Sequence, residues 1–146
     1  MTALAAAARF ETNERLQRYP GLVARGKIGA QAAEDDAEAW DTIADAFERP
    51  TATGVSIEAA IRDRRGPSVG CYQIRDALDR ATATRNAACA KAPDDTALAA
   101  RRDAVAAIAA AIGDRIQFWC DLNDTLRTNV IPAPEPGRAL PTAKAA

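Results

Sequence analysis

"RYPGLVARGKIG", residues 18–29, sets a tyrosine, a proline, three glycines and a short apolar run inside a chain otherwise rich in alanine. Proline fixes φ, lacks an N–H and disfavours the α region for the residue before it. The stretch therefore predicts a first helix, capped by Thr2, that ends near Arg18. "PGLVARG" then forms one short helical turn, closed by Gly26 in the left-handed conformation. Gly29 reads as the N-cap of a following helix from Ala30 to about Glu48, with Ile28 placed to staple against Ala33. In that helix Ala33, Ala37, Trp40, Ala44 and Phe47 recur at three- and four-residue spacing, which makes one buried stripe. The quoted stretch is thus a corner: Leu22, Val23 and Ile28 pin two longer helices into an antiparallel hairpin.

Composition carries the same reading along the whole chain. Of 146 residues 48% are hydrophobic, but alanine supplies most of these and aromatics only 5%. Alanine has the best intrinsic helix propensity, and no run of β-branched residues alternates as a strand would. The expected class is all-α, with a core made by close helix–helix contact. Charge is balanced at 19 basic and 20 acidic residues, so no global field steers the protein to nucleic acid or membrane. Lysine occurs only at Lys27, Lys91 and Lys144, an arginine bias that fits a GC-rich genome. No run reaches the length and apolarity of a membrane span. "MTALAAAARFE" lacks a basic leading region, so no secretory signal is expected. Cys71, Cys89 and Cys120 are odd in number, far apart in sequence and without a CxxC pair. They read as buried or idle thiols of a reducing, cytoplasmic protein rather than as disulfides or zinc ligands.

Further along, "PTATG" at 50–54 reads as a linker. Ser56 caps a short helix ending near Arg65. Another helix starts at Ser68 or Val69 and runs to about Lys91, with Ile74, Ala77, Leu78, Ala81, Ala88 and Cys89 along one side. "KAPDD" breaks it, and Asp94 or Asp95 caps a last helix to about Asn129. Leu98, Val105, Ile112, Trp119 and Leu126 fall at strict seven-residue spacing there, with Ile108, Ile116 and Leu122 alongside. Arg101 and Arg115 interrupt the second seam, which argues for a bundle spine about 50 Å long rather than a two-stranded coiled coil. The expected organisation is a helical hairpin at 1–49, a helical bundle at 54–129 packed with it, and a disordered proline-rich tail at 130–146.

Enzyme chemistry finds a poor inventory. The chain has no histidine, which removes the commonest general base, the Ser–His and Cys–His pairs and most zinc sites. No phosphate-binding glycine motif follows a strand. Glu11 and Glu14, and Glu38 and Asp41, are pairs three apart, each on one helical face. An antiparallel hairpin can bring them together around Mg²⁺, and they resemble the ExxE and ExxD pairs of all-α nucleoside triphosphate pyrophosphatases of the MazG kind. The lysine and asparagine side chains such sites use are not evident, and acids of this spacing are ordinary on a solvated face. The expectation is a non-enzymatic protein, with no catalytic, cofactor or metal residues assigned.

Two charged surfaces remain. Glu34, Glu38, Asp41, Asp45 and Glu48 form an acidic stripe beside the apolar one, and residues 31–48 hold seven acids and no base. Like charges so spaced oppose an isolated helix by about a few tenths of a kcal/mol each. The stripe is either solvated and answered internally by Arg9, Arg15, Arg18 and Arg25, or an interface for a basic protein partner, including mimicry of nucleic-acid phosphates. The alternative surface is basic: Arg62, Arg64, Arg65, Arg75, Arg80 and Arg85, in a segment 56–85 loosely like a DNA-binding helix-turn-helix. A third possibility is self-assembly through the long helix 96–129.

The run "RLQRYPGLVARGKIGAQAAEDDAEAWDTIADAF", within residues 9–48, also resembles a helical hairpin of small uncharacterised phage and prophage proteins of proteobacteria. Those tend to carry an arginine-rich first helix, a YP pair, an LV or WV pair, GK or GR, and an acidic amphipathic helix with a late aromatic. Tyr19, Pro20, Leu22, Val23, Gly26, Lys27, Glu34 and Phe47 sit at matching positions, while Gly29 replaces the usual Ser or Thr cap. The resemblance implies phage or prophage origin and a hairpin fold; it brings no catalytic residues. The expected function is that of a cytoplasmic interaction protein, binding a host or phage protein through its acidic face, as an inhibitor or a nucleic-acid mimic.

Overall fold

Thr2 opens the first helix as its cap: the Thr2 hydroxyl oxygen accepts from the Ala5 N–H at 3.1 Å. This computed structural model describes residues 2–49, 56–63 and 69–129. The expected linker at 50–54, Arg64, Arg65, Ser68 and the tail from Val130 lie outside those residues. Within them the chain is all-α: α1 (Ala3–Ala24), α2 (Ala30–Glu48), α3 (Ile57–Asp63), α4 (Cys71–Lys91) and α5 (Thr96–Thr128).

The corner at 18–29 differs in one respect from its sequence reading. α1 does not stop at Arg18; it runs through Pro20 to Ala24. Proline removes the bond to the Leu16 carbonyl, but Leu16 is 59% exposed, so water can reach that end of the turn. Tyr19, the residue proline should push out of the helix, is held by its hydroxyl on Asp36 of α2. Tertiary anchoring thus overrides the local preference. The helix then closes as expected. Gly26 has φ +65°, the Gly26 N–H donates to the Val23 carbonyl at 3.0 Å and the Lys27 N–H to the Leu22 carbonyl at 2.9 Å. That is a Schellman motif, which only glycine enters without strain. Pro20→Ala should restore the missing bond and raise stability by about 1 kcal/mol or more; an unchanged urea midpoint would mean that α1 carries no penalty at this position.

The other element starts follow from their caps. Gly29 precedes α2 in extended conformation, and the Ser56 hydroxyl accepts from the Ala59 N–H at 3.2 Å before α3. α4 begins two residues later than Val69, where the Gln73 side chain accepts from the Gly70 N–H at 2.9 Å. Asp95 accepts from the Ala97 and Leu98 N–H groups, both at 3.0 Å, to start α5.

α1 and α2 form one antiparallel hairpin, α4 and α5 a second, and the two pack through α2 on α4 and α1 on α5, with α3 against α2. Trp40 and Ile43 of α2, Ala5 and Ala8 of α1, Ile57 of α3, Ile74 and Ala77 of α4, and Ile108 and Ile112 of α5 are sealed between them. Alanine at the crossing points lets the backbones approach closely.

On α5 the buried positions are Val105, Ile108, Ile112, Ile116 and Cys120. Those steps of three, four, four and four drift off the seven-residue repeat, because a straight helix has 3.6 residues per turn rather than 3.5. Trp119 and Leu126 therefore lie on the surface with Phe118. α5 is a bundle spine, not a coiled-coil strand. No helix among the described residues is long and apolar enough to cross a membrane.

Candidate functional site

Antiparallel packing of α1 on α2 decides which acids remain available. Arg9, near the start of α1, reaches the far half of α2 and there meets three carboxylates at once. Its guanidinium donates to both oxygens of Glu48 at 2.8 and 2.7 Å, to Asp41 at 2.5 Å and to Asp45 at 3.1 Å. The bidentate hydrogen bond from Arg9 holds the Glu48 carboxyl below its ordinary pKa, against the opposing pull of partial burial. Asp41, Asp45 and Glu48 are thus one ionic cluster that fastens α1 to α2.

The near half of the stripe is arranged differently. The side-chain carboxylates of Glu34 and Glu38 take no hydrogen-bond or ion-pair partner among the described residues, and Glu34 is exposed. Beside Glu34 runs a shallow, mainly apolar groove of about 290 Å³ between α1 and α2, lined by Arg15, Leu16, Tyr19, Pro20 and Val23 on one side and by Ala30, Ala33 and Ala37 on the other. The five acids do not act as one surface: three are tied to Arg9, Glu34 edges an apolar channel, and Glu38 lies half-buried one turn further along α2. Arg15, expected to face the stripe, turns instead to the interior, while Arg18 and Arg25 are exposed.

The interior destination of Arg15 is a second charged assembly, which sequence reading did not anticipate. Asp36, 2% exposed, accepts from Arg15 at 2.7 Å, from Arg80 of α4 at 2.7 and 3.1 Å and from the Tyr19 hydroxyl at 2.5 Å. Glu11, 3% exposed, accepts from Arg15 at 2.8 Å and from Arg85 of α4 at 2.5 and 3.1 Å. Arg85 also donates to Glu14 at 2.7 Å, and Arg101 of α5 donates to the other Glu14 oxygen at 3.2 Å. The assembly lines a cleft of about 230 Å³, with Arg18 and Thr84 on its walls. It ties α1, α2, α4 and α5 together through charge-assisted hydrogen bonds, each stronger than a neutral one.

Burial works against the Asp36 carboxylate, but hydrogen bonds from Tyr19 and Arg80 and the nearby Arg15 charge outweigh it, so its pKa is lowered. Glu14 is lowered in the same way: burial opposes, while the hydrogen bond and charge of Arg85 and the charges of Arg101 and Arg18 prevail. Burial, with the bond to Asp36, pushes the Tyr19 hydroxyl up to about 12. A carboxylate with a depressed folded pKa adds stability above its ordinary value, and that stability is lost as pH falls through the folded pKa. Asp36, Glu14 and Glu48 all have this sign. The melting temperature should hold from about pH 7 to about pH 5, then fall steadily toward about pH 2; a flat profile over the acidic interval would contradict these pairings.

The pyrophosphatase-like pairs are not assembled around one point. Glu11 and Glu14 face Arg85, Asp41 faces Arg9, and among the described residues no three acids or cysteines converge as metal ligands. Of the arginines in the helix-turn-helix reading, Arg85 is turned into the interior, Arg80 is committed to Asp36 and Arg75 to its neighbour Asp76 at 3.2 Å. Arg62 is exposed. No protein-family model matches the chain, and no curated protein and no solved structure matches it either.

Proposed function

We propose that the chain is a non-enzymatic helical interaction protein, of the phage or prophage kind its hairpin resembles, which receives a basic amphipathic helix of a protein partner on the outer face of α1 and α2. One observation carries this reading: Arg9 engages the far half of the acidic stripe and leaves Glu34 at the rim of the apolar groove, with Glu38 one turn further along α2. An apolar channel with an acidic edge is complementary to a helix with an apolar face and lysine or arginine flanks, docked through residues spaced i, i+3/i+4 and i+7. The groove supplies area, and Glu34 at its rim, followed by Glu38 one turn along α2, supplies sign and orientation. The same division helps a helix with seven acids and no base to be tolerated, since four of those acids, Asp36 included, accept hydrogen bonds from arginines.

The test is calorimetric titration with a synthetic amphipathic peptide carrying basic flanks, and with its acidic-flanked counterpart. The basic peptide should bind, and Glu34→Lys with Glu38→Lys should weaken it by about tenfold or more while the acidic peptide gains. Equal binding of the two peptides to wild-type protein would remove the acidic edge from the account.

A further inference from the structure

Cys71 is the first residue of α4, and Cys120 lies in the last third of α5. Far apart in sequence, they meet in the fold at the end of the α4–α5 hairpin remote from the turn that joins the two helices. Two contacts set the register. The Asn123 side-chain amide, one turn after Cys120, donates to the Cys71 sulfur at 3.2 Å. The hydroxyl of Tyr72, next to Cys71, donates to the Asp124 carboxylate at 2.5 Å and lies 3.3 Å from the Cys120 carbonyl oxygen. Both thiols are buried, Cys71 at 6% and Cys120 at 0% exposure, and Cys71 is close enough to perturb the Cys120 thiol. Cys89 sits at the opposite end of α4, half-buried.

From this juxtaposition we propose that Cys71 and Cys120 are a redox site: a low-molecular-weight disulfide converts the pair to an intramolecular disulfide that staples the open end of the α4–α5 hairpin. Cys71 is the less buried of the two and lies in the first turn of its helix, where N–H groups lack intrahelical partners and fraying is easiest. Burial, followed by the neighbouring Cys71 side chain, raises the pKa of the Cys120 thiol, which makes it the slower nucleophile. The order follows. The Cys71 thiol loses its proton and attacks one sulfur of glutathione disulfide, and the S–S bond breaks to release one glutathione thiol. The Cys120 thiolate then attacks the Cys71 sulfur of the mixed disulfide and displaces the second glutathione. Two protein thiols are oxidised, one glutathione disulfide is reduced to two thiols, and no other reactant is needed.

The experiment uses the full chain with Cys89→Ser, which removes the third thiol. After incubation with glutathione disulfide under native conditions, the protein is unfolded, alkylated and mapped by mass spectrometry. The expected product has lost two hydrogens, takes up no alkylating agent and yields one cross-linked peptide joining Cys71 to Cys120. Closing a loop of about 50 residues should raise the melting temperature by about 10 °C, reversed by dithiothreitol. Adding Cys120→Ser should halt the reaction at a single glutathione adduct on Cys71. Full alkylation of both thiols after oxidation, or two separate glutathione adducts with no cross-link, would overturn the proposal.

Discussion

Asp36→Ala is expected to destabilise the chain by about 3–5 kcal/mol, the effect of removing a buried carboxylate that Arg15, Arg80 and Tyr19 share. Arg15 keeps Glu11 at 2.8 Å but loses Asp36, and its side chain is only 11% exposed, with the guanidinium 4.6 Å from the Trp40 ring centroid. Arg80 contributes little to the loss, because its side chain is 56% exposed and hydrates once released. Tyr19 also loses its acceptor and, with it, the hold on the helix around Pro20. Replacing both ends of the pair, Asp36→Leu with Arg15→Met, should recover much of the loss, since an apolar pair of similar volume demands no desolvation of charge. Urea unfolding measures both. A single-substitution loss below about 1 kcal/mol would mean that the cleft admits enough water to solvate Arg15.

Trp40→Ala should cost about as much, 3–5 kcal/mol, by emptying the centre of the core. The residue is fully buried, in the same core cluster as Ile43, Ala39 and the buried residues of α4. It also carries the guanidinium of Arg15 on its face, so its removal loosens the ionic assembly. Trp40→Phe separates the two effects. The indole N–H is buried without a hydrogen-bond partner, so deleting that donor offsets part of the lost volume. A loss of no more than about 1.5 kcal/mol is expected for phenylalanine. Equal losses for alanine and phenylalanine would show that the indole nitrogen makes a bond essential to the fold.

Most helix boundaries were legible because capping chemistry is local. Gly26, Gly29, Ser56 and Asp95 each engage backbone groups within four residues of themselves, and each sits where sequence places it. Pro20 misled because its local preference competes with an anchor from another helix, the Tyr19–Asp36 hydrogen bond. Val23, read as a pin of the corner, is half-buried beside the groove.

The ionic assembly left a signal of a different kind. Arg85 follows Ile74, Ala77, Leu78 and Ala81 on the buried side of α4, and Asp36 lies between Ala33 and Trp40 on that of α2. A charge inside an apolar period marks a buried partner elsewhere, but periodicity on one helix cannot name it. The split of the acidic stripe was illegible for the same reason. All five acids repeat alike along α2, and only the reach of Arg9 across the hairpin divides them.

That division is the claim on which the functional account rests, and paired substitutions read for both stability and binding test it most directly. Glu34→Lys with Glu38→Lys should leave the melting temperature within about 2 °C of wild type and abolish binding of the basic amphipathic peptide. Asp45→Asn with Glu48→Gln, which strips Arg9 of two partners, should lower the melting temperature while the peptide still binds. The reverse pattern, with lost stability from the first pair and lost binding from the second, would contradict the account.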